Sequence, residues 1–230
     1  MLDLFCPEIW IADGVIVNAY AGFHYPTRMV VIRLPDKDLL IWSPVHLTET
    51  LRHQVAALGM VRHILAPNSL HHLYLADWLQ AFPTAAAHGA PGLAAKRRDV
   101  VFASELGDTA GAGWNEVIDQ VVVRGNLITD EVIFFHRPSG TVLFADLIQQ
   151  LPPTWFHGWR GIVARLDLIA GPQPEVPRKF RLAFVNRRAA RKSVGRILDW
   201  PVEKIVMAHG TPVRANGITV LRRVFRWLMG

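Results

Sequence analysis

Two adjacent histidines and two residues far downstream stand where a sheet protein can build a ligand cluster. His71 and His72 follow the apolar run ending at Leu65-Ala66, in the stretch Leu65-Ala66-Pro67-Asn68-Ser69-Leu70-His71-His72. Asp146 closes Leu143-Phe144-Ala145-Asp146, and His209 closes Ile205-Val206-Met207-Ala208-His209-Gly210. Each potential metal ligand comes just after a short apolar run, where a buried strand ends. Side chains at strand ends, drawn from distant parts of a chain, are held by a rigid scaffold and can converge on one ion. Each residue also has a structural reading. The histidines can serve a helix N-terminus by hydrogen bonding, and Asp146 can cap a turn or pair with an arginine. His71 and His72 can share one ion only if His71 lies in the loop ahead of the helix, because successive residues of an α-helix point about 100° apart. His88, beside Gly89 at the end of another strand-like run, is a weaker addition to the set.

The elements that position these residues follow from local pattern. Glu8–Ala12 and Val15–Asn18 flank Asp13-Gly14 and read as a hairpin. Met29–Leu34 and Leu39–Trp42 read as a second. Leu47–Leu58 has helical spacing, with Thr48 as start residue and Gly59 suited to a left-handed cap. Arg62–Ala66 reads as a strand, His72–Phe82 as a helix and Thr84–His88 as a strand; Gly89–Gly113 reads as loop. Glu116–Arg124, Glu131–Arg137 and Thr141–Asp146 read as consecutive strands. Trp155–Ile169 suits a helix or a lid, and Phe180–Asn186 a strand or a helix. Arg187–Trp200 is helical and closes before Pro201, since a residue preceding proline is pushed out of helical geometry. Lys204–Ala208 is a strand and Ile218–Met229 a terminal helix with Leu221, Val224, Phe225 and Leu228 inward. This mixed order predicts an α/β sandwich with helices outside two facing sheets.

Bulk properties bound the rest. The chain has 230 residues, 51% hydrophobic and 19% charged, which is enough to bury a core without disulfides. Cys6 is the only cysteine, so no intrachain disulfide or cysteine-based zinc knuckle is available, and a reducing compartment is favoured. The N-terminus has no basic segment ahead of an apolar one, and no apolar run reaches the roughly 20 residues of a membrane span. A soluble cytoplasmic protein is expected. Net charge is +6, with seven basic and no acidic residues between Arg178 and Lys192. Such a face attracts nucleic acid, an anionic membrane or an acidic substrate. The terminal helix adds Arg222, Arg223 and Arg226 to an amphipathic pattern that fits core packing or membrane contact.

Element order and the phrases Ser43-Pro44, Ala66-Pro67-Asn68, His71-His72, Pro91-Gly92-Leu93, His136-Arg137, Ala145-Asp146 and His209-Gly210 resemble a domain-of-unknown-function branch of the metallo-β-lactamase-like superfamily. The resemblance spans nearly the whole chain, 1–230, and implies one αβ/βα-sandwich domain of two facing mixed sheets with metals at one edge. That superfamily's His-x-His-x-Asp-His motif, laid over this chain, puts Pro67 and Ser69 at the first-metal histidines, His71 at the Asp and His72 at the last histidine. The third first-metal histidine falls near Asn126 and Leu127. The first metal site is therefore missing.

The resemblance implies a second site of His71, His72, Asp146 and His209. Three imidazoles and one carboxylate suit a single Zn or Fe ion better than Mg²⁺ or Ca²⁺, which prefer oxygen shells. The chemistry implied is hydrolysis of a small-molecule substrate by a metal-activated water. Two-metal clamping and ordinary β-lactamase action are not expected without the first-site histidines. A non-catalytic descendant that binds a ligand or protein is the alternative, because fold does not fix function. Nucleic-acid binding is a weaker third, since the Arg-rich run lacks interleaved aromatics for base stacking.

Overall fold

Residues Glu131–His136, Glu-Val-Ile-Phe-Phe-His, are buried at every position. Because side chains alternate along a strand, Val132 and Phe134 enter one apolar layer while Ile133 and Phe135 enter another. A strand apolar on both faces must lie inside a stack of layers.

The computed structural model describes the whole chain, residues 1–230. The chain runs β1 (Leu2–Cys6), β2 (Ile9–Asp13), β3 (Val17–Asn18), β4 (His24–Tyr25), β5 (Arg28–Arg33), β6 (Asp38–Trp42), α1 (Glu49–Ala56), β7 (Met60–Ala66), α2 (Leu75–Ala81) and β8 (Ala86–Gly89). It continues with α3 (Leu93–Lys96), β9 (Phe102–Glu105), β10 (Ile118–Val123), β11 (Glu131–His136), β12 (Thr141–Phe144), α4 (Gly158–Leu166), α5 (Arg178–Ala183), α6 (Arg187–Leu198), β13 (Lys204–Met207) and α7 (Gly217–Met229).

Two mixed sheets face each other. One has seven strands in the order β1-β2-β5-β6-β7-β8-β9, antiparallel up to β6 and parallel beyond it. The other is β10-β11-β12-β13, with only the last pair parallel. Val30, Ile32, Leu40 and Trp42 meet Val132, Phe134, Leu143 and Val206 between the sheets. Met29, Val31 and Ile41 pack outward against Leu51 and Val55 of α1 and Trp78 of α2. Phe135 and Phe144 pack outward against Val194 of α6 and Leu221 and Phe225 of α7. The expected sandwich with outer helices is the observed one. The apolar face of α7, Leu221, Val224, Phe225 and Leu228, is buried in this core, as the core-packing reading of that helix expects.

Three local expectations are corrected. Asp13-Gly14 is not a hairpin turn: β1 pairs with β2 through Pro7-Glu8, and the backbone N–H of Gly14 continues the β2–β5 ladder to the Thr27 carbonyl at 2.8 Å. Glycine is needed there because a Cβ would stand 2.5 Å from Thr27 Oγ1 and 2.6 Å from Val45 Cβ. Gly59 does not cap α1 in the left-handed region either; its near-extended backbone lets the Lys37 carbonyl approach where a Cβ would sit. Within Gly89–Gly113, expected to be loop, the chain forms α3 and β9.

Thr48 does cap α1, its hydroxyl accepting the Leu51 N–H at 3.2 Å. Two buried histidines shape the response to pH. His88 lies between His63 and Ser104, and His136 bonds Ser139 Oγ at 2.8 Å. Burial pushes each down to about 4, with the His63 charge adding to the effect at His88. In the unfolded chain they take up protons near 6.5, whereas the folded chain resists until about 4. The contribution of these two histidines therefore holds above about pH 6.5 and falls as pH drops from there toward 4, by roughly 3 kcal/mol per histidine at full development. Between pH 7 and pH 5 the urea midpoint should fall more steeply in the parent than in His136→Gln; parallel profiles over that window contradict the assignment.

Candidate metal centre

β7 ends at Ala66, and Asn68 in the following loop connects the two sheets. Its Oδ1 accepts the backbone N–H groups of Leu70 and His71, both at 2.9 Å, an Asx-type turn that fixes the His71 segment ahead of α2. Its Nδ2 donates to Asp146 Oδ2 at 2.8 Å and to Glu131 Oε2 at 3.1 Å. On the opposite sheet Glu131 opens β11, and its carboxylate accepts three successive N–H groups beyond β12, those of Ala145, Asp146 and Leu147, at 2.8, 2.8 and 3.0 Å. Burial and the neighbouring Asp146 carboxylate push Glu131 up to about 7, and these donors favour its charged form against that push.

His209 follows β13. The guanidinium of Arg28 donates to the Met207 and Gly210 carbonyls on either side of it. At Gly210 (φ +150°) a Cβ would lie 2.5 Å from the Gln150 carbonyl oxygen, so glycine is required where the loop passes that strand-like segment.

The three segments bring three ligand atoms together. His71 Nε2 is 3.2 Å from His209 Nε2 and 3.2 Å from Asp146 Oδ2, and His209 Nε2 is 3.3 Å from Asp146 Oδ1. The remaining ring nitrogens are committed. His209 Nδ1 lies 2.6 Å from the Pro26 carbonyl, which can only accept, so Nδ1 carries the proton and Nε2 presents its lone pair inward in the neutral ring. His71 Nδ1 lies 2.7 Å from Ser43 Oγ. Ser43 is held at φ +53°, a conformation that costs a non-glycine residue about 1–3 kcal/mol and is typical of functional positions.

Such a donor set fits a metal ion. Two imidazole nitrogens and a carboxylate oxygen suit zinc or Fe²⁺. Bonds of about 2.0–2.1 Å in a tetrahedron put ligand atoms roughly 3.3 Å apart. The two imidazole nitrogens have that spacing, each faces a different oxygen of Asp146 at a similar distance, and one atom from each residue lies within 4.8 Å of the others. Burial opposes ionisation of Asp146, but the charges and hydrogen bonds of His71 and His209 outweigh it and hold its carboxyl well below the usual range. Gln149, buried beside it, donates to the Asp146 carbonyl at 3.0 Å and leaves its own Oε1 without a partner.

His72 stands outside this cluster. Its Nδ1 lies 3.0 Å from Arg97 Nη1 and must accept, because arginine only donates. Burial, reinforced by the Lys96 and Arg97 charges, pushes its pKa down to about 4. A neutral His72 therefore carries its proton on Nε2, leaving neither nitrogen a free lone pair. Of the four expected residues the structure brings His71, Asp146 and His209 together and leaves His72 apart. His88 is likewise remote, bonded to His63 and Ser104.

At the missing first site, Ser69 Oγ donates to Thr129 Oγ1 at 2.9 Å and the Lys96 ammonium donates to the Ser69 carbonyl at 2.7 Å. The exposed Lys96 ammonium thus stands beside Ser69, where the resemblance would require a histidine. Asn126 is buried in structural bonds to Phe180 and Ile128. Sequence reasoning missed Glu131 as a positioning residue and quoted Ser43 and Asn68 only as parts of phrases.

A family profile described as a domain of unknown function, DUF4336, matches residues 8–157, more than half of the chain. The chain belongs to the DUF4336 family. No curated protein matches this DUF4336 chain in sequence. Among solved structures, it is similar to the DIM-1 metallo-β-lactamase exposed to ceftazidime, with TM-score 0.67 and 12% identity over 99% of this chain and 95% of that one. A metallo-β-lactamase from Pontibacter korlensis gives 0.67 and 11% over 100% and 99%. The FIM-1 metallo-β-lactamase from Pseudomonas aeruginosa in its mono-zinc form gives 0.64 and 9% over 100% and 92%. At these identities the likeness establishes the fold: this DUF4336 protein has the metallo-β-lactamase architecture.

A cavity of about 370 Å³ opens above the cluster, with His71, Asp146, Gln149 and His209 in its wall. Leu70, Leu73, Ile128 and Phe180 make much of the remainder apolar. Lys179 lines it as well, its ammonium donating to the Tyr25 hydroxyl at 3.1 Å. None of the helices is long and apolar enough to cross a membrane.

Proposed function

We propose that the chain is a hydrolase working with one ion, zinc or Fe²⁺, held by His71, Asp146 and His209. The observation that carries this reading is the convergence of the His71 and His209 Nε2 atoms, 3.2 Å apart, on the two oxygens of Asp146 at 3.2 and 3.3 Å. The bound ion supplies Lewis acidity for attack by water on a carbonyl or phosphoryl centre.

The chain's own groups do the rest. Asp146 stays charged beside the two imidazoles, and Pro26 and Ser43 hold those rings in orientation. Gln149, donating to the Asp146 carbonyl, braces the segment that carries the carboxylate. The apolar wall takes the body of a small-molecule substrate, and Lys179 attracts an anionic group on it. A ligand-binding descendant without turnover is the second reading, favoured by the Lys96 charge at the missing first site.

Metal analysis of untagged protein purified without chelator tests the proposal. About one ion per chain is expected, and His72→Ala should keep it because Arg97 already engages that ring. Less than about a tenth of an ion per chain rejects the metal site. Hydrolysis of an ester, thioester, lactone or phosphoester, lost on chelation and regained with metal, supports the enzyme. Full metal occupancy with no turnover on any of them supports the binder.

A further inference from the structure

We infer that the face around the cavity mouth docks on an anionic lipid bilayer. The first observation is the placement of exposed apolar side chains. Thirteen of the eighteen large hydrophobic residues at the surface lie on or next to the segments that line the metal-centre cavity and the groove beside it; only Met1, Leu4, Met60, Val101 and Met229 stand elsewhere. That groove shares Ala19, Tyr25 and Lys179 with the cavity wall and runs along α4.

α4 is amphipathic in the wrong sense for a helix facing water. It buries its small residues, Gly161 and Ala164, and turns Trp159, Ile162, Val163 and Leu166 outward, all more than 40% exposed. The inward choice is enforced by packing, since a Cβ on Gly161 would lie 2.7 Å from the Phe156 carbonyl oxygen. Arg160 lies over the Trp159 ring at 4.7 Å, which brings a cation and an aromatic together on the outward side. Across the mouth, Leu182 is 80% and Val185 66% exposed on and just after α5. Clustered exposed apolar side chains of this extent mark an interaction surface, and a helix with Trp and aliphatics among arginines is the pattern of interfacial helices.

Charge selects the occupant. Residues 151–198 contain ten Arg or Lys and only two acids, Asp167 and Glu175, a net +8 in a chain whose total is +6. Both acids are already paired, Asp167 with Lys179 and Glu175 with Arg181 and Arg223. Five of those ten cations, Arg160, Arg165, Arg178, Lys179 and Arg181, lie on α4 and α5 beside the exposed apolar residues, a net +3 after Asp167 and Glu175, and the other five lie on the following helix, α6. A second copy meeting this face across a two-fold axis would bring like charges together. Nucleic acid would satisfy the arginines but leave Ile162, Val163, Leu166 and Leu182 uncovered. A bilayer with anionic headgroups matches both features, apolar side chains entering the headgroup boundary and cations meeting phosphates.

Co-sedimentation of the full chain with vesicles tests this. Binding to phosphatidylcholine vesicles containing phosphatidylglycerol should exceed binding to phosphatidylcholine alone by at least about tenfold, and the difference should shrink with added salt. Ile162→Ser with Leu166→Ser, both at solvent-exposed positions, should cut binding about tenfold while thermal unfolding and metal content stay unchanged. Equal binding to both vesicle types, no binding to either, or full binding by the double variant overturns the inference. So does a solution dimer that the double variant dissolves, or displacement of the protein from vesicles by RNA at equal phosphate. Because metal content is read separately, failure here leaves the metal centre standing, and failure there leaves this surface standing.

Discussion

Glu131→Ala is expected to lower unfolding free energy by about 3–5 kcal/mol, the range for removing one partner from a buried charged network. Its carboxylate accepts the N–H groups of Ala145, Asp146 and Leu147 together with Asn68 Nδ2. Alanine leaves three backbone N–H groups without acceptors in a region closed to water, takes from Asn68 Nδ2 one of its two, and leaves a cavity where the side chain was. Glu131→Gln keeps the shape but turns an amide N–H₂ toward donors. Relief from the neighbouring Asp146 charge offsets part of that cost, so its loss should be smaller. Urea unfolding of the three proteins measures the series. A loss under about 1 kcal/mol for Glu131→Ala would show that the Asp146 loop holds its shape without this carboxylate.

Asp146→Asn should reduce zinc affinity by on the order of a thousandfold while leaving the fold intact. The amide is isosteric and its oxygen still accepts from Asn68, but the only carboxylate among the three converging donors is gone. Ser43→Ala should cost about 10–100-fold, the usual range for losing a group that orients a ligating imidazole. The two effects can be ranked in one experiment. An ion that binds only the folded chain raises its melting temperature by an amount set by concentration over Kd. Added zinc should therefore shift the parent strongly, Ser43→Ala less and Asp146→Asn hardly at all. Equal shifts in the parent and Asp146→Asn would remove Asp146 from the ligand set.

What could be read from residues alone was whatever depends on neighbours in the chain. The Thr48 cap, the end of α6 ahead of Pro201 and the strands before Asp146 and His209 are local patterns, and they stand in the structure. The fold followed from their order. The choice between His71 and His72 was not local, because Arg97, 25 residues away, engages the second ring. Glu131 carried no signal, since three of its partners are backbone groups and the fourth is an amide 63 residues upstream. Gly14 looked like a turn residue, but close packing against Thr27 and Val45 is what requires it. The Trp155–Ile169 segment was ambiguous because an outward apolar stripe has the same period as an inward one.

The parallel pairing of β12 with β13 is reached only after α4, α5 and α6 have been threaded between them. During synthesis, the imidazole at position 209 is therefore still inside the ribosome when those at positions 71 and 72 and the carboxylate at 146 have already emerged. Domains fold as units once their chain is available, so the three-way cluster closes only once β13 has emerged and paired beside β12. Any cation captured earlier would meet an incomplete set of donors and exchange readily, so stable loading waits for that pairing.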